Sequence, residues 1–142
     1  MKRMTVLSLI MGLFITIQAC AQKSIQVPAV VKSALAQKFP AAKGINWEKE
    51  KGNFEANWGG KSGEDNSAMF SPSGEFLELV KAIPVKQLPA PAIAYVKANY
   101  KGATITEAGL VTDAAGKVTY EAEVHRKDII FDEKGNFLRA ED

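Results

Sequence analysis

Two kinds of hydrophobic spacing alternate along the chain. Val27, Val31, Leu35 and Phe39 recur every fourth residue, with Val30 and Ala34 beside them and Lys32, Gln37 and Lys38 on the opposite side. That is the apolar stripe of an amphipathic helix. Pro28 suits its first position and Pro40 ends it. Leu88, Ala92, Val96 and Tyr100 repeat the scheme, with Pro89 and Pro91 in the first turn, where proline is tolerated. After each helix the spacing drops to every second residue. Phe54, Ala56 and Trp58 alternate with Glu55 and Asn57, and Tyr120, Ala122 and Val124 alternate with Glu121 and Glu123. Such alternation marks strands with one buried face. Strands are predicted over 45–47, 54–58, 68–70 and 76–80, and again over 104–111, 118–124, 128–131 and 136–139. Turns fall at Gly52-Asn53, 71–74 and 132–135.

The chain therefore reads as one pattern written twice. Val27-Pro28-Ala29 matches Leu88-Pro89-Ala90, and Phe70 to Leu77 matches Phe131 to Leu138, each 61 positions later. Phe54-Glu55-Ala56 matches Tyr120-Glu121-Ala122 at a spacing of 66, a length difference of the kind that turns absorb. A repeat of about 60 residues buries little surface alone, so the copies are expected to share one sheet or one core. The expected fold class is α+β: a tandem duplication of a helix plus a four-stranded antiparallel meander, with the helices on one face of the sheet. Copy one is placed at 22–82 and copy two at 83–142.

Residues 1–21 read as an address. Lys2 and Arg3 precede an apolar run from Met4 to Ile17 and a small-residue end at Ala19-Cys20-Ala21, the layout of a signal peptide with a possible lipobox. Either Cys20 is lipidated and becomes the new N-terminus, or cleavage falls before Gln22. The chain is then expected to be exported, in the periplasm or lipid-anchored to the outer membrane of a Gram-negative bacterium. The lipid would be its one membrane attachment, because no other apolar run approaches the roughly 20 residues of a spanning helix.

Removing the leader changes the charge. The whole chain has 18 basic and 16 acidic residues, and the leader takes two of the basic ones. The remainder is formally neutral, which argues against a nucleic-acid partner. A single Cys and a single His exclude a disulfide framework and a multi-histidine metal centre.

At this point the residues resemble a family. Val27–Ala29, Phe39–Lys43, Trp47–Ala56 and Phe70–Glu78, matched again at Leu88–Ala90, Tyr120–Val124 and Phe131–Leu138, are similar to PepSY-like proteins of the β-lactamase-inhibitor-like group. The resemblance implies a curved antiparallel sheet with helices on one side and an open concave face on the other, in domains that bind or restrain enzymes and peptidases. It carries no catalytic residues and no cofactor. Two stretches depart from the pattern: Tyr100-Lys101-Gly102 at the end of the second helix, and the glycine-rich segment from Trp58 to Asp65.

Candidate chemistry is sparse. His125 falls at a hairpin tip with no nucleophile placed for it. Glu121, Glu123 and His125 share a strand face by parity, but side chains about 6.5–7 Å apart along a strand converge poorly on one ion, and no metal site is assigned. Asp132 to Asn136 begins like a calcium loop without that loop's later acids, and a hairpin turn explains it. Trp58 shares a face with Phe54 and Ala56, which favours the core over an exposed position. Trp47 lies among Glu48, Lys49 and Glu50 and admits two places, in the core or on the open face as an anchor. The binding-surface candidates are Trp47, Glu55, Asn57, Glu121 and Glu123. The expected role is non-enzymatic: binding an envelope protein or peptide through the open sheet face, with inhibition as one form of it. The alternative is a small-ligand or lipid carrier, which requires an enclosed apolar cavity.

Overall fold

The computed structural model describes residues 25–141; the leader and Cys20 lie outside these described residues. Helix α1 (Ala29–Lys38) precedes strands β1 (Asn46–Glu50), β2 (Asn53–Trp58), β3 (Asn66–Phe70) and β4 (Phe76–Ala82). After a 3-10 turn at Val85–Gln87, α2 (Ala90–Asn99) precedes β5 (Ala108–Asp113), β6 (Val118–Val124), β7 (Lys127–Asp132) and β8 (Phe137–Glu141). All eight strands form one antiparallel sheet in sequence order. The halves are joined by a β4–β5 ladder that runs from Glu78↔Asp113 to Ala82↔Gly109.

Parity assigns the faces as expected. Helix α1 buries Val31 and Leu35 on Phe54, Ala56, Ala68 and Phe70. Helix α2 buries Ala92 and Val96, with Leu88 just before it, on Ala108, Ala122, Val124, Ile129 and Phe131. Each helix lies over paired alanines, Ala56↔Ala68 under α1 and Ala108↔Ala122 under α2. Small side chains there let helix and sheet approach closely. Aromatic rings close the rims: Phe39 meets Trp58 at 5.2 Å, and Tyr95 stacks on Phe137 at 4.6 Å.

Several boundaries differ from the sequence expectation. Pro28 is the N-cap of α1 rather than its first residue. Strand β5 begins at Ala108, not 104, because the preceding residues pair irregularly with the end of β6: Thr106 N–H donates to Glu123 O at 3.0 Å, and Glu123 N–H to Glu107 O at 2.9 Å. Strand β1 runs on through charged Glu48–Glu50, whose extended form comes from its ladder with β2 rather than from its own alternation.

The sheet is strongly curved. Flat, its outer strands would stand about 33 Å apart across seven ladders. Instead Lys51, in the β1–β2 turn, donates to Glu141 on β8 at 3.2 Å. Strand twist accumulates across the sheet, and two β-bulges add to it at corresponding places, Met69/Phe70 and Ile130/Phe131. Gly135, at φ +84°, lets the β7–β8 turn close under α2; a Cβ there would lie 2.7 Å from Pro89 Cβ.

The β6–β7 turn holds His125 and Arg126 at φ 55° and 63°. Both are left-handed, the geometry of a two-residue turn that favours Asn-Gly. Replacing His125-Arg126 by Asn-Gly should raise stability by about 0.5–1.5 kcal/mol. Urea unfolding of the double variant checks this, and an unchanged or lower midpoint would show that the turn carries no strain.

Candidate concave-face site

The curl turns the helix-free face into a trough of about 820 Å³. Every strand contributes to its lining. Of the chain's sixteen acidic residues, eleven line this trough, with Arg139 the one basic residue among the described lining residues. A chain whose formal charge sums to only +2 is therefore strongly polarised in space.

The two halves place carboxylates at corresponding positions and treat them differently. On β2, Glu55 accepts a hydrogen bond from the Ser67 hydroxyl of β3. On β6, Glu121 has Asp128 of β7 in the place of that serine. Burial pushes the Glu121 carboxyl up to about 8, and the negative charges of Asp128, Glu78, Glu55 and Glu50 add to the shift. Gly109 makes room for it: a Cβ there would come within 2.5 Å of Glu121 Oε1. Burial also raises Glu78, Glu50 and Asp128 above the usual carboxylate range, with mutual repulsion behind it.

The rim is different. Arg139 Nε donates to Glu141 Oε1 at 2.5 Å, and together with the Lys51 hydrogen bond this holds Glu141 below its ordinary value. These pairs are substantially exposed, so they fix geometry more than they stabilise. Glu123 accepts from the Thr106 hydroxyl at 2.6 Å. By contrast the carboxylates of Glu78, Glu121 and Asp128 accept no hydrogen bond from the described residues.

Four of the five candidate residues come together here: Glu55, Asn57, Glu121 and Glu123 all line the trough. Trp47 does not join them. Its ladder partner is Ala56, so it is half-buried on the helix side against the α1 cluster, beside a hollow of about 280 Å³ lined with Phe39 and Ile45. The sequence reading missed Glu50, Glu78, Asp128 and Arg139. Parity applied to every strand, rather than to β2 and β6 alone, places Glu78 and Asp128 on this face.

Among the described residues no group of three or more His, Cys, Asp or Glu side chains is arranged to hold a metal ion. Asp132, the start of the calcium-like stretch, spends Oδ1 on the Lys134 and Asn136 backbone N–H groups and Oδ2 on the Asn136 side chain within its own turn. His125 sits exposed at the β6–β7 turn. No described helix is long and apolar enough to cross a membrane.

Comparison with known proteins places this geometry. No curated protein matches the sequence significantly. Several solved structures share the fold, among them three from Bacteroides species. A protein of Bacteroides eggerthii, described as a candidate periplasmic one, has a TM-score of 0.66 at 22% identity over 82% of this chain and 88% of its own. A DUF2874 family protein of Bacteroides uniformis has 0.65 at 20% over 81% and 88%. A BLIP-like protein of Bacteroides fragilis has 0.61 at 17% over 84% and 89%. The sequence profile described as β-lactamase-inhibitor-like, PepSY-like matches residues 60–139, more than half of the chain and most of the sheet that forms the trough. The chain belongs to this β-lactamase-inhibitor-like, PepSY-like family.

Proposed function

We propose that this chain is an exported, non-enzymatic protein of the cell envelope that binds another protein or peptide on its concave sheet face. One observation carries the reading: an eight-stranded sheet buries one face under two helices and leaves the other as a long, uncovered trough crowded with carboxylates. Holding so many like charges together is unfavourable for folding, so the arrangement calls for a use outside the fold. Export fits the leader-like residues 1–21 and the periplasmic description of a protein with the same fold. Modification of Cys20 would add a lipid anchor. Inhibition is a narrower form of binding, supported by the family description alone. The carrier reading is weaker, because the trough is open and lined by more carboxylates than apolar side chains.

Photo-crosslinking in the native envelope tests the reading. A benzophenone amino acid at Glu48 or Glu107, exposed trough-lining positions, should give the same discrete protein adduct. At Lys97, exposed on α2, it should not. Adducts from Lys97 alone would move the interface to the helices and overturn the concave-face reading.

A further inference from the structure

The chemistry of the occupant can be read from what the trough leaves unpaired; this rests on the binding role just proposed. Asn57 is 8% exposed and lines the trough, yet its side-chain amide makes no hydrogen bond among the described residues. None of their buried side-chain polar atoms is both sealed from solvent and unpaired, so this amide opens into the trough. A nearly buried amide with no partner is costly unless something arrives to pair with it. Beside it the acids fall into two groups. Glu55, Glu123 and Glu141 are held by Ser67, Thr106 and Arg139. The carboxylates of Glu78, Glu121 and Asp128 are not held, and all three line the same trough.

We propose that the trough takes an extended, lysine- or arginine-bearing segment of a partner protein, its cations seated on Glu78, Glu121 and Asp128 and its main chain paired with the Asn57 amide. Charge complementarity selects a cation, and three further observations select this one. A bare divalent ion needs several oxygens within about 2.6 Å, and no described group of three acids is arranged to supply them. A free polyamine donates hydrogen bonds but accepts none, so it would satisfy the Asn57 oxygen and leave the nitrogen unpaired. A peptide group offers both a donor and an acceptor. The space, about 820 Å³ spread along eight strands, suits a chain segment better than a single ion. The carboxyls raised by burial and repulsion are the ones an incoming ammonium or guanidinium would return to their charged form.

Fluorescence anisotropy of the purified protein tests this with a labelled peptide of about ten residues alternating Lys and Ser, the length of a long strand. The Lys peptide should bind, and its Glu-for-Lys counterpart should not. Raising NaCl from about 50 to 300 mM should weaken binding about tenfold. The isosteric pair Glu78→Gln and Glu121→Gln should also weaken it about tenfold. Asn57→Ala should cost about three- to tenfold at either salt concentration. Glu133→Gln, in the β7–β8 turn outside the trough, should change nothing. Equal binding of both peptides, or wild-type affinity in the double Gln variant, overturns the proposal. So does binding of spermine or calcium chloride where the Lys peptide fails to bind. If no Lys peptide binds but the trough crosslinks persist, the cationic occupant falls and the binding face stands. If the crosslinks vanish, the reading beneath it falls.

Discussion

Urea unfolding should show this protein losing stability as pH rises from about 5 to 9, by an amount on the order of 3–5 kcal/mol attributable to Glu121. The Glu121 carboxyl is raised from 4.5 to about 8 by burial first and by the Asp128 charge second. Its folded pKa lies above the unfolded one, so the folded state holds this proton more tightly. The contribution is fully present below about 4.5 and is lost as pH climbs through about 8. Glu50, Glu78 and Asp128 are raised too and push in the same direction. Glu141 and Asp132 are lowered, so their contributions are present above their unfolded values and lost in acid. Stability should therefore peak on the acid side of neutrality. Glu121→Gln removes the ionisation at the cost of one unpaired amide, about 1–3 kcal/mol. The variant should be the more stable protein above pH 8 and should show a much flatter curve. Asp128→Ser, which puts on β7 the residue type that serves Glu55 on β3, should lower the Glu121 pKa in a carbon-detected NMR titration. Parallel stability curves for wild type and Glu121→Gln would mean that this carboxyl ionises normally in the fold.

The second large effect lies on the other face. Phe131 and Phe70 are fully buried, each beside a β-bulge and under a different helix. Phe131 packs edge-on to Tyr95 at 5.7 Å and to Phe137 at 6.5 Å; Phe70 packs on Phe76 at 5.7 Å. Truncation of either to Ala should cost about 3–5 kcal/mol, the lost burial plus a cavity that the surrounding rings fill only in part. The two variants also ask whether the halves fold as one. The helices bury separate clusters, but the continuous β4–β5 ladder joins them. Each variant should therefore shift a single calorimetric transition. A transition that splits, with one component unmoved, would show that the halves are independent units.

Much of this was written in local patterns. Fourfold spacing placed both helices, and twofold spacing on β2 and β6 placed Glu55, Asn57, Glu121 and Glu123 on the face opposite Phe54, Ala56, Tyr120 and Ala122. The matching glycine turns at 71–74 and 132–135 set two hairpins at corresponding places. Trp47 was ambiguous because its strand has no other apolar residue to show which parity is buried. Its pairing with Ala56 decided the matter, and pairing is a property of the neighbouring strand.

The sequence by itself determined the elements and, strand by strand, which side chains share a face, because helical and strand periods are local geometry. It also put Glu55, Glu121 and Glu123 among the candidates for the uncovered face. Only the tertiary structure decided that these acids become neighbours. Curvature accumulates in small increments of twist across seven ladders, with a bulge in each half, and no short window of sequence contains it. That accumulated bend brings Lys51 to Glu141, sets Glu121 against Asp128 and Glu78, and leaves the Asn57 amide opening into a trough with nothing among the described residues to pair with it.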